Sequence, residues 1–384
     1  MADQGVSRPP LGKLIVGNTS QIILVNFDGA TFSIASRYIL PHWVPSSILF
    51  KEPNLLYAVN EIGTDTNMLR LVPNTSVAPD AIGFDRLSFV TNAHGSFGGN
   101  YLAFNTDKTR MVETCFSSGR IDVWDTSAAD RIVLKRSIRT RTENGNQWPH
   151  QRRPGPRQAI LEPTGRFFII PNPGTDSLHV MDTKDDKYEI TGITGVPYTI
   201  SPESIACITH GGTPYLVVAG GLSTAIALMR MEYTDTTIRF TTIHWGHAGR
   251  RWDPGEIIMS SFLGLEVAKN QRDIYLWNRF PGEPGGHIAY FRLTEDGGSL
   301  GLTHIDHIPT PDIQPRMVSL SGDDKQEFAF VANEDGESGL IVFRRDPTTG
   351  RLDPNPVATF PNDLLVPYGA SRDILRGVQF VREL

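Results

Sequence analysis

One phrase returns along the whole chain, and it leaves few folds open. An apolar stretch leads to a turn holding Gly, Asp or Lys. A second apolar stretch follows, ending near Asn or Gly, and then a third. Arg157 to Asp182 reads RQAILEPTGRFFIIPNPGTDSLHVMD, and Arg316 to Arg344 reads RMVSLSGDDKQEFAFVANEDGESGLIVFR. Ser204 to Arg230 and Gly98 to Asp125 repeat the pattern, with weaker copies at Val44 to Leu71 and Phe262 to Leu293. The second stretches end at Asn60, Cys115, Asn172, Gly220, Asn278 and Asn333. That spacing of roughly 55 residues lies within the range of propeller-type arrays. A pair of β-sandwiches would not produce so even a ruler.

Six repeats are complete and a seventh is split. KLIVGNTSQIILVNFDG near the N-terminus starts at the second strand of the phrase, and Gly377 to Val381 supplies a lone strand at the other end. Joining the two closes a ring and removes its exposed edge. The expectation is an all-β, seven-bladed β-propeller forming one domain over 1–384. Residues 11–41 and 376–384 would share the closing blade. The 36 Gly and 27 Pro that punctuate the chain fit many short strands.

Charge narrows the partners. The net charge is −6, which disfavours nucleic acid. The one basic cluster, Arg136 to Arg157, is broken by Glu143, Trp148 and several Pro and Gly. No run of 18 apolar residues offers a membrane span. MADQGVSRPP has no apolar signal core. Cys115 and Cys207 lie in apolar strand contexts and read as buried thiols of a reducing, cytoplasmic setting. A small molecule is the expected partner, with no cofactor, and the oligomeric state is open.

In a propeller the starts of the inner strands and the ends of the second strands ring one mouth of the channel, where pockets form. Here that ring would hold Trp43, His94, Arg157, Gln158, Glu203, Ser261 and Arg316, with Asn60, Glu61, Asn172, Asn278, Arg279, Asn333 and Glu334 from the second set. Guanidinium forks suit carboxylate, phosphate or enolate oxygens, so Arg157, Arg279 and Arg316 are catalytic candidates, with Glu203 and His150. Gln158, Trp148, Trp252, Glu61, His94, Asn333 and Trp277 are candidates for substrate binding. The competing reading pairs each arginine with Glu203, Glu61 or Glu334 in an inter-blade salt bridge. Thr142 to Pro156 and His244 to Glu256 read as long loops carrying Trp, His and Arg over the mouth. No phosphate-binding glycine motif, nucleophile elbow or CxxC occurs. His244/His247 and His304/His307 stand three apart, which outside a helix does not put both rings on one face.

The fourth- and seventh-blade phrases resemble the lactonase family of seven-bladed propellers, which includes 6-phosphogluconolactonases and the fungal carboxy-cis,cis-muconate cyclase. The resemblance spans nearly the whole chain by blade order and specifies fold more than activity. It implies a His-bearing phrase before the fourth inner strand, whose last His is the family's acid/base candidate. This chain reads Pro154-Gly155-Pro156-Arg157-Gln158 there. An Arg of the muconate cyclase falls at Glu203 here, its Glu near Gly221, and its next Arg at Arg279, which is kept. Calcium-dependent members ring the channel with oxygens; Glu61, Asn172 and Asn333 would serve, but no metal is expected.

A guanidinium holds its proton at neutral pH, so the family's own proton transfers are not expected at Arg157. Three readings follow. One is ring-forming chemistry of the hetero-Diels–Alder kind, in the manner of fungal lactonase-like propellers acting on quinone methides. Arginine and tryptophan would position the substrate and stabilise its oxyanion. The second is a lactone hydrolase or muconate-type cycloisomerase with relocated acid/base residues, His150 with Glu203 or Glu61. The third is a non-catalytic binding propeller.

Overall fold

The computed structural model describes residues 12–73, 84–140, 154–196, 201–221, 225–247, 261–279, 286–312, 314–365 and 377–384. They form seven four-stranded antiparallel sheets. The inner strands, blade by blade, are Val378–Glu383, Pro45–Lys51, Gly99–Phe104, Ile160–Leu161, Pro202–His210, Ser261–Val267 and Pro315–Leu320. We number the blades in that order, so the first is the one made from both chain ends.

Alternation along the strands builds the ring. Within the second strand of the first blade, Gly12–Asn18, Leu14 and Val16 pack against the seventh blade, while Ile15 packs against the second. Each blade is therefore apolar on both faces, as stacked sheets require. Phe167–Asn172 and Ser177–Asp182 of the fourth blade are buried throughout. The outer strands, such as Glu189–Gly195 and Val133–Arg139, alternate with solvent. Among the described residues the buried side chains fall into seven clusters, one for each blade–blade interface.

Closure follows the sequence reading. Val378–Glu383 pairs antiparallel with Gly12–Asn18, Val16 opposite Val381. The second strands end at Asn60, Cys115, Asn172, Gly220, Arg279 and Asn333, one residue from expectation in the sixth blade alone. Two expectations are corrected. His244 to His247 belong to the outer strand Ile238–His247 rather than to a loop. His304 and His307 do come to one face, because a bulge in the strand Ser299–Pro309 inserts one residue between them. Their ring centroids lie 6.1 Å apart, and His287 stands 4.4 Å from His307.

Candidate active site

In six of the seven blades the start of the inner strand carries a device that aims one described side chain at the channel. Pro45 pairs with Asn60 and Ser47 with Val59, leaving Ser46 bulged out of register. The same slip leaves Asn100, Glu203 and Arg316 bulged in the third, fifth and seventh blades. It leaves Gln379 bulged in the first. Arg157 holds the matching place in the fourth blade, its N–H donating to the Pro171 carbonyl at 3.1 Å. A bulge re-aims the side chain it carries. Proline stands just before it at Pro45, Pro156, Pro202 and Pro315, a start-of-strand position that needs no ladder donor.

These side chains line a cavity of about 400 Å³ running along the channel. Arg157 bridges three blades at its mouth. Its Nη1 donates to Asn100 Oδ1 at 2.8 Å, and its Nε lies 3.0 Å from Glu203 Oε2. Its guanidinium rests over the Phe116 ring, 5.1 Å from the centroid, a favourable cation–π placement. Arg316 reaches past the first blade, its Nη2 donating to both oxygens of Glu61 at 3.1 and 3.0 Å. Burial pushes the Glu203 carboxyl above its ordinary range, while Arg157 and then Arg316 pull it back. The mouth thus carries a carboxyl of raised proton affinity between two guanidinium groups.

The other candidates fall differently. Trp277 lines the cavity from behind. Its indole N–H donates to the Arg316 carbonyl at 3.0 Å, and a Cβ on Gly264 would overlap its ring. Gln158 also lines the cavity, but its Oε1 accepts the Ile205 N–H at 2.7 Å and ties the fourth blade to the fifth. Asn333 is corrected from a binding to a structural place: it is buried and donates to the Ser338 carbonyl. Asn172 likewise is buried and accepts the Gly155 N–H at 2.9 Å, tying the segment before the fourth inner strand to the second strand. His94 sits exposed at the end of an outer strand, 2.8 Å from Asp65. Trp148, His150 and Trp252 lie outside the described residues, as does the Arg279 side chain at its strand end.

Comparison with known proteins accords with this fold. The family described as "Lactonase, 7-bladed beta-propeller" matches residues 14–361. The chain belongs to that family. A protein of Arthroderma benhamiae named "Probable 6-phosphogluconolactonase" is 23% identical over 353 residues, covering 89% of this chain and 84% of its own. The Bacillus subtilis protein named 6-phosphogluconolactonase is 25% identical over 268 residues, 68% of this chain and 69% of its own. The solved structure of a Pseudomonas aeruginosa periplasmic gluconolactonase superposes with a TM-score of 0.76 at 17% identity, covering 97% of this chain and 99% of that one.

Several features of this lactonase-family propeller escaped sequence reasoning. Asn100 and Phe116 carry no motif; the Pro–X repeat at the inner strands was the available signal for the bulged ring. Cys207 lines the cavity, and burial, then Glu162, pushes its thiol up to about 12. At the far end Glu266 enters the channel near Arg382, its carboxyl raised by burial. Cys115 is a buried strand thiol, as expected, but its neighbours include two buried carboxyls, Glu113 and Asp122.

Glu113 accepts from Thr66 Oγ1 at 2.9 Å and from Trp124 Nε1 at 2.7 Å. Asp122 accepts from the Ser96 N–H and hydroxyl. Burial, partly countered by Thr66 and reinforced by the Asp122 charge, pushes Glu113 up to about 8. The unfolded carboxyl ionises near 4.5 and the folded one near 8, so stability falls as pH rises across that window and levels off above it. Glu113→Gln is expected to remove this fall, on the order of a few kcal/mol. Urea melts of both proteins at pH 5 and pH 8 check it; parallel pH dependence would refute the assignment.

Proposed function

We propose that this protein opens the ring of a lactone, with Glu203 as the base and Arg157 and Arg316 as the groups that receive negative charge. The observation that carries the reading is the raised Glu203 carboxyl at the cavity mouth, 3.0 Å from Arg157 and under the influence of Arg316. A water held against Glu203 loses its proton to the carboxylate as its oxygen bonds to the lactone carbonyl carbon. The carbonyl oxygen gains charge beside the guanidinium groups, which are fixed before reaction by Asn100, Phe116 and Glu61. The ring C–O bond then breaks, and the leaving alkoxide takes the proton back from Glu203. The relatives named as gluconolactonases and 6-phosphogluconolactonases support the reaction class.

A second reading is ring formation without water, of the hetero-Diels–Alder type. Among the described residues no imidazole lines the cavity. Two guanidiniums could instead stabilise an oxygen that gains charge as a ring closes. One experiment separates the two. Turnover in ¹⁸O-labelled water places one label in the hydroxy-acid product of lactone opening. A product carrying no label, formed at the enzymatic rate, would overturn the hydrolytic reading and favour cyclisation.

A further inference from the structure

The mouth is not polar throughout. Ile62, Phe97 and Phe116 are 50%, 49% and 39% exposed. Single exposed apolar side chains are ordinary, but a contiguous group beside a site is not. Ile62 directly follows Glu61, the partner of Arg316. The Gly98 N–H donates to the Gly63 carbonyl at 2.9 Å, so the turn carrying Ile62 abuts the loop carrying Phe97. That loop runs into Gly99 and Asn100, and Asn100 accepts from Arg157. Phe116 lies against the Arg157 guanidinium and packs so near Gly155 that a Cβ there would overlap its ring. A Cβ on Gly98 would overlap the Ser117 side chain, so the Phe97 loop also adjoins the turn after Phe116, and the three segments lie side by side along the second and third blades as an apolar shelf beside the charged mouth.

The charges themselves say what the mouth does not favour. Arg157 faces Glu203 and Arg316 faces Glu61, two guanidiniums against two carboxylates. A phosphate dianion set there would meet both carboxylates as well as both arginines, and the Coulomb terms oppose one another. A neutral oxygenated ring meets donors without that repulsion.

We infer that the substrate is a ring-bearing molecule with a sizeable apolar body, its hydrocarbon part lying on Ile62, Phe97 and Phe116 and its oxygenated ring turned toward Arg157 and Glu203. This rests on the mouth being the substrate site. It assigns a class of substrate different from a compact phosphorylated sugar. The hydrocarbon gains by leaving water in proportion to its covered area, so discrimination grows with the length of the apolar part.

Initial rates of the full-length protein with γ-decalactone, γ-butyrolactone and glucono-δ-lactone 6-phosphate test this in a pH-stat. Binding of 2-hexyltetrahydrofuran, which cannot be opened, is measured beside them by calorimetry. The alkyl lactone is expected to show a KM roughly tenfold or more below that of the short one. Phe97→Ser and Ile62→Ser should each shrink that ratio several-fold, with unchanged melting curves showing that the fold survives. Preference for the phosphorylated or short lactone overturns the inference, as does failure of the ether to bind. If no lactone opens but the ether binds and Phe97→Ser weakens it, the substrate class stands and the hydrolytic reading falls. A dimer that Phe97→Ser splits would assign the shelf to a subunit interface and overturn the inference.

Discussion

Glu203→Gln is expected to lower kcat/KM for lactone opening by about two to four orders of magnitude, the range for losing a general base. The substitution keeps the shape of the side chain and removes its ability to take a proton. Arg157 stays anchored by Asn100 and by the Phe116 ring, so the mouth keeps its geometry. The pH profile supplies an independent check. The wild-type base must be ionised, and burial holds Glu203 above the ordinary carboxylate range. The rate should therefore fall with decreasing pH through a raised pKa, and that limb should vanish in the variant. Activity within threefold of wild type, with the acidic limb intact, would remove Glu203 from the mechanism.

Deleting residues 377–384 is expected to leave the chain unable to hold its fold. Val378 and Val381 are fully buried and Phe380 nearly so. Their loss removes roughly 5–9 kcal/mol of apolar burial, at 1.5–3 kcal/mol for each side chain. That matches the whole net stability of an ordinary domain. The deletion also frees the edge of Gly12–Asn18, an invitation to aggregate. It takes away the Glu383 carboxylate that accepts the Gly322 N–H at 2.6 Å and secures the seventh blade. Soluble yield and thermal unfolding read the result. A truncated protein melting within a few degrees of the full chain would show that the ring does not depend on this clasp.

Much of the architecture is legible in the sequence. Strand ends at Asn60, Cys115, Asn172, Gly220 and Asn333 came directly from the repeat, because apolar runs and turn residues act locally. Asn278 missed by one residue where Trp277, Asn278 and Arg279 give no turn signal. The histidines at 304 and 307 misled because a bulge changes the strand period by one, and nothing in the local composition announces it. Arg157, Glu203 and Arg316 were found by their place at the strand starts. Their pairing remained open between substrate-facing arginines and salt bridges.

The sequence by itself determined seven blades, their boundaries and the joining of the two ends, since each depends on a pattern that returns within a few dozen residues. Only the tertiary structure decided who meets whom at the mouth. Arg316 finds Glu61 across 255 positions of chain, and Arg157 finds Asn100 on one side and Glu203 on the other. Those meetings depend on the angle at which each blade stands around the channel and on the bulge that turns one side chain inward. Both are properties of the closed ring, set by seven packed interfaces at once rather than by any one stretch of residues.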